Sequence, residues 1–138
     1  MSETHVPEAG AAAYALSNPP VLLIASLRAS LEVFEAAGGV GPLAAKAAAL
    51  TAYLEARLAE AVPSVRIITP SNARGAQLSL ILPDGVRVKE VQEALSREGV
   101  FVDSREPAVL RVAAAPLYNS ACDVFDFVDV LAKILAKA

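Results

Sequence analysis

The chain has 138 residues, a formal net charge of −3 and a pI near 5.1, a length that fits one domain built on a single core. The acidic balance and the scattered positions of its twelve Lys and Arg residues exclude a nucleic-acid partner, because phosphate binding needs clustered cations. Cys122 is the single cysteine and His5 the single histidine, so neither an intrachain disulfide nor a Cys/His metal cluster can form. No apolar run approaches the roughly 20 residues of a membrane span, and no secretory signal is visible, so the expected location is the cytoplasm. Hydrophobic residues reach 55%. That excess has two readings: an alanine-heavy style that adds little hydrophobic area, or apolar surface meant to meet a partner.

Residues 1–16 show no sustained period and read as an irregular lead-in, with His5 a solvent-exposed residue rather than a base. Ser17-Asn18-Pro19-Pro20 reads as a helix start, since Ser or Asn can cap free N–H groups and proline suits a first turn. Leu22, Leu23, Leu27, Leu31 and Phe34 continue at helical spacing until Gly38-Gly39. A second helix is predicted from about Pro42 to Ala61, with Leu43, Ala47, Leu50, Leu54 and Leu58 on one stripe. The period then changes. Strands are predicted at Val65 to Thr69 and Ala76 to Leu82, and Pro83-Asp84-Gly85 is a turn signal. Gly75, after Arg74, is expected to supply a positive φ where the second strand begins. A third helix carries Val88, Val91 and Leu95 and ends at Gly99. Brief strands are predicted at Val100 to Val102 and Val109 to Ala113. The last helix runs from about Ala121 to Ala136, capped by Asn119 or Ser120, and Cys122 is expected to be a partly buried residue within it. The order predicts an α+β fold: a small, mainly antiparallel sheet covered on one face by helices.

Arg111 stands out from the residues alone. A guanidinium between Leu110 and Val112 is costly unless paired, and its fork suits a carboxylate bidentately. The plainer alternative is an edge-strand arginine, exposed or paired with Asp103. Glu98, Asp103 and Asp123 show no arrangement of paired carboxylates for acid–base work.

Four stretches in order carry a resemblance. They are Ser17-Asn18-Pro19-Pro20 leading to Ser26-Leu27-Arg28-Ala29-Ser30-Leu31, and Leu50-Thr51-Ala52-Tyr53-Leu54-Glu55. Next come Ile67-Ile68-Thr69-Pro70 with Arg74-Gly75-Ala76-Gln77-Leu78-Ser79. Last are Asp103-x-Arg105-x-Pro107, Leu110-Arg111-Val112-Ala113 and Pro116-Leu117-Tyr118-Asn119-Ser120. Together they resemble the C-terminal region of kynureninases, which are pyridoxal-phosphate (PLP) enzymes of the aspartate-aminotransferase group. The resemblance implies that residues 17–138 form the small C-terminal domain of a fold-type I PLP enzyme. It also implies a large PLP-binding domain as the missing partner, a homodimer, and hydrolysis of kynurenine or 3-hydroxykynurenine to alanine and an anthranilate. It assigns Arg111 to the substrate α-carboxylate. It places Ser17 and Asn18 at the substrate ring, and Asn18 also near the PLP phosphate of the neighbouring subunit. Tyr118 and Asn119 match a segment that shapes the loop beyond the arginine strand.

None of Lys46, Lys89, Lys133 and Lys137 matches the lysine that forms the Schiff base with PLP, so the chain alone is expected to be inactive. Two other readings stay open: a non-catalytic dimerisation or assembly module, and an α+β domain that binds an amino acid at a sheet edge.

Overall fold

The computed structural model describes residues 6–15 and 17–137. It divides into two compact units, residues 1–36 and 37–138. In the first, Gly10–Tyr14 form a short 3-10 helix inside the stretch expected to be irregular. Helix α1 follows, Val21–Ala36. Its first turn is set by prolines: the Pro20 carbonyl accepts from the Ile24 N–H at 3.1 Å. Pro20 therefore holds the capping position that the sequence reading assigned to Ser17 or Asn18. None of the sixteen residues of α1 is buried. At about 100° per residue, Leu23, Ile24, Leu27, Leu31 and Phe34 fall on one side, and Leu22 and Val33 on another. Arg28, Glu32 and Glu35 make a narrow charged stripe between them, and Arg28 bonds Glu32.

The second unit holds the rest of the elements. Helix α2 (Val40–Ala61) is longer at its start than predicted. Strands β1 (Arg66–Ile67) and β2 (Gln77–Ile81) follow, then helix α3 (Val88–Arg97). Strands β3 (Asp103–Arg105) and β4 (Val109–Ala113) precede helix α4 (Ala121–Leu135). The sheet order is β1-β2-β4-β3 and every pairing is antiparallel. A brief strand was expected at Val100 to Val102. Instead Val100 and Val102 pack against the core as connectors, and the strand is the polar triplet that follows.

Helices terminate where the chain reverses. Gly99, with φ +79°, closes α3, and its successor Val100 returns an N–H to the Leu95 carbonyl. At α4 the N-cap is Ser120, not Asn119. The Ser120 hydroxyl accepts from the Asp123 N–H while the Asp123 carboxylate accepts from the Ser120 N–H. Gly75 is absent from the positive-φ residues; its carbonyl accepts from the Thr51 hydroxyl at 3.4 Å. Cys122 is exposed, because the buried stripe of α4 is Val124, Phe127, Val128 and Leu131.

The sheet has two unlike faces. Leu78, Leu80, Leu110 and Val112 are buried with Leu50, Leu54 and Leu58 of α2, Val91 and Leu95 of α3, and the α4 stripe. Register partners share a face, so Ile67, Leu80, Leu110 and Ser104 line the helix side. The alternate residues Arg66, Gln77, Ser79, Ile81, Asp103, Arg105, Val109, Arg111 and Ala113 stand on the other side, none of them fully buried. Helices thus cover one face of an antiparallel sheet, as the pattern predicts.

Candidate functional site

Arg111 sits in β4, which is flanked by β2 and β3. It is therefore not an edge-strand arginine. The strand alternates, so Leu110 and Val112 point into the core and force Arg111 to the open face. There a cross-strand row forms: Asp103 of β3 and Ser79 of β2 are its register neighbours on either side. The guanidinium is paired. Arg111 Nε donates to Asp103 Oδ2 at 3.1 Å, and Nη2 donates to the same oxygen. The other oxygen, Oδ1, accepts from Arg105 Nη1 at 2.5 Å, and that nitrogen also donates to the Ser104 carbonyl at 2.8 Å. The Arg111 guanidinium beside it, helped by Arg105, holds the Asp103 carboxyl below the usual carboxylate range.

The strand that supplies Asp103 is tied to α3 from its opposite face. Ser104 Oγ donates to Gln92 Oε1 at 2.5 Å, and Gln92 Nε2 donates to the Val102 carbonyl at 2.9 Å. Sequence reasoning weighed Asp103 only as an alternative for Arg111. The signal that could have raised it is the spacing Asp103-x-Arg105, which puts a carboxylate and a second guanidinium on one face of a strand.

Beyond β4 the loop is shaped as expected. Asn119 Oδ1 accepts from the Ala115 N–H at 2.8 Å, and the Asn119 N–H donates to the Ala115 carbonyl at 2.9 Å. Lys46 of α2 clamps the same loop by donating to the Pro116 carbonyl at 2.7 Å. Tyr118 is exposed. It lines an open cleft of about 460 Å³ with Phe101, Val112, Asn119 and Phe127; Arg111 does not line it.

Ser17 and Asn18 are exposed and belong to the first unit, and Arg111 belongs to the second. His5 lies outside the described residues. Among the described residues no group of three His, Cys, Asp or Glu could hold a metal ion, and no helix is long and apolar enough to cross a membrane.

The lysines do not fit a coenzyme aldehyde. Such an amine must lose its proton, which burial or a nearby cation brings about. Lys46 is committed to Pro116. Lys133 is bonded to Asp129, which raises its pKa and keeps it charged. Lys89 is exposed on α3, and Lys137 is exposed in the turn after α4.

Residues 43–131 match the family model of the kynureninase C-terminal domain. The chain belongs to the kynureninase family. The matched stretch contains Asp103, Arg105 and Arg111 and stops short of Ser17 and Asn18. Kynureninase 2 of Neurospora crassa is 48% identical over the whole of this chain, which spans 30% of that protein. The kynureninase of Dictyostelium discoideum is 46% identical over 91% of the chain, and that of Xanthomonas campestris pv. campestris 45% over 94%. The chain spans about three tenths of the length of each relative, so it corresponds to one domain of a larger enzyme. Among solved structures, a C-DES mutant with glycine covalently linked to its PLP cofactor superposes with a TM-score of 0.73 at 14% identity. It covers 89% of this chain and 32% of its own. A NifS-like protein gives 0.62 at 23% identity, over 70% of this chain and 29% of its own. These likenesses establish the α+β fold shared by the C-terminal domains of such enzymes.

Proposed function

We propose that residues 17–138 form the substrate-carboxylate end of a kynureninase, with residues 1–16 as a lead-in. In this reading the complete enzyme hydrolyses kynurenine or 3-hydroxykynurenine to L-alanine and anthranilate or 3-hydroxyanthranilate. Arg111 holds the substrate α-carboxylate and so orients the bond to be broken. Ser17 and Asn18 reach the substrate ring, and Asn18 also the coenzyme phosphate across a homodimer interface. A large domain supplies PLP, the electron sink, together with its lysine. The assembled enzyme works in the cytoplasm, and this chain by itself does not turn over.

The observation that carries the reading is the guanidinium of Arg111 placed on the open sheet face by alternation within an apolar strand. A chimera tests it: this chain replaces the matching C-terminal part of the Xanthomonas campestris kynureninase, and anthranilate fluorescence reports turnover. The chimera should be active, Arg111→Lys in it should be nearly inactive, and the purified chain with added PLP should release no anthranilate. A folded, PLP-loaded chimera indifferent to Arg111→Lys refutes the role of Arg111, and turnover by the chain alone refutes its dependence on a large domain.

The wholly unburied apolar helix α1 favours one second reading, an assembly module. Light scattering after size exclusion addresses it, and a strict monomer with no partner removes it.

A further inference from the structure

Asp103 and Arg105 share a three-residue strand whose middle member, Ser104, is pinned to α3 through Gln92. Both outer residues therefore face the open side of the sheet, beside Arg111. A guanidinium has five N–H groups. Asp103 takes the inner pair on Arg111, one from Nε and one from Nη2. The three left over are both N–H groups of Nη1 and the second of Nη2, and they meet no other acceptor among the described residues. They include the outer Nη1/Nη2 edge, whose two parallel N–H groups match a carboxylate.

Charge counts in the same direction. A lone Asp103 would cancel Arg111. Arg105, however, binds the second oxygen of the same carboxylate. The row Arg105–Asp103–Arg111 carries two cations and one anion, a net charge of +1 shared along a row that ends in the outer edge of Arg111.

We propose that Asp103 and Arg105 are positioning residues: Asp103 fixes the plane of the Arg111 guanidinium and Arg105 neutralises Asp103, so that the outer edge stays cationic and open to an amino-acid carboxylate. This rests on the reading of Arg111 as the carboxylate-binding group. It adds the two residues that set that group's orientation and charge. A merely structural salt bridge would stabilise the strand pair without changing ligand affinity.

The test uses the full chain labelled with nitrogen-15 and titrated with L-kynurenine, following the Arg111 Nε–H resonance and the amides of β2 and β4. The unsubstituted chain should give saturable shifts that Arg111→Lys removes. Without ligand, Asp103→Asn should move the Arg111 Nε–H resonance toward its free position, and Asp103→Glu should restore it. Arg105→Gln, a change at an exposed rim residue, should weaken kynurenine about threefold, as expected for one exposed charge pair. If Arg111→Lys removes binding but Arg105→Gln binds like the unsubstituted chain, the positioning role is overturned and the carboxylate reading stands. The same holds if Asp103→Asn leaves the Nε–H resonance unmoved. If the unsubstituted chain shows no saturable shift, or the shift survives Arg111→Lys, the carboxylate reading falls and the positioning role with it.

Discussion

Truncating Leu110 to alanine tests the two-faced sheet on which the site depends. Leu110 is 0% exposed, sits opposite Leu80, and immediately precedes Arg111 in β4. The change removes about three methylene-sized groups from the core, worth about 2.4 kcal/mol at roughly 0.8 kcal/mol each. A residual cavity of roughly 50–70 Å³ adds about 1–2 kcal/mol at ~24 cal/mol per Å³. The expected loss is therefore about 3.5–4 kcal/mol, within the range of buried Leu→Ala changes. A unit of this size has roughly 5–15 kcal/mol to lose, so the variant stays folded in water. In urea, at about 1–1.5 kcal/mol per molar, the midpoint should fall by roughly 2.5–4 M in far-UV circular dichroism. Ser79→Ala is the control, because Ser79 is the register neighbour of Arg111 on the opposite face. It should cost no more than about 0.5 kcal/mol. Equal costs for the two changes would refute the assignment of faces, and with it the argument that core packing pushes Arg111 outward.

Gly99→Ala should cost about 1 kcal/mol in the same urea assay, since φ +79° is strained for any residue with a Cβ. Ser120→Ala removes the hydroxyl that caps α4 and should cost about 1 kcal/mol, with faster amide exchange confined to the first turn of that helix. Asp103 and Asp123 both ionise more readily folded than unfolded, the first through Arg111 and the second through Ser120. Their contribution is present above the ordinary carboxyl value of 3.8 and is lost as pH falls through the lower folded values. Circular dichroism from pH 5 down to about 2 should show falling stability, and Asp103→Asn should flatten that fall. A slope unchanged in that variant would contradict the Arg111–Asp103 pairing.

The helices were legible because their burial depends on local spacing. Leu50, Leu54 and Leu58, or Val124, Phe127, Val128 and Leu131, repeat at the helical period and all are buried. Strand β3 was not legible. Its residues Asp103 to Arg105 are polar, and its ladder comes from backbone pairing with β4, which no side-chain pattern announces. The apolar Val100 and Val102 looked more strand-like, yet they serve as packing for the core. The same division runs through the site. Arg111 was visible as a cation in an apolar strand. Its pairing with Asp103 was named from the sequence only as the plainer alternative, because it depends on the register between β3 and β4 rather than on neighbours in sequence. Asn18 and Ser17 were read from the residues as helix caps and only through family resemblance as site residues, and the structure leaves both exposed. The helix start they were thought to cap is taken by Pro20, whose missing N–H costs nothing there.

Helix α1 has a consequence for how the polypeptide behaves in a cell. Sixteen residues are near the lower limit at which an isolated helix holds together in water, and stability at that length comes from a covered face. Here two apolar arcs are separated by a thin charged seam on one side and by Ser26 and Ser30 on the other, so covering one arc leaves the other wet. Left uncovered, such a segment opens at little free-energy cost and offers its apolar side chains to chaperones and proteases.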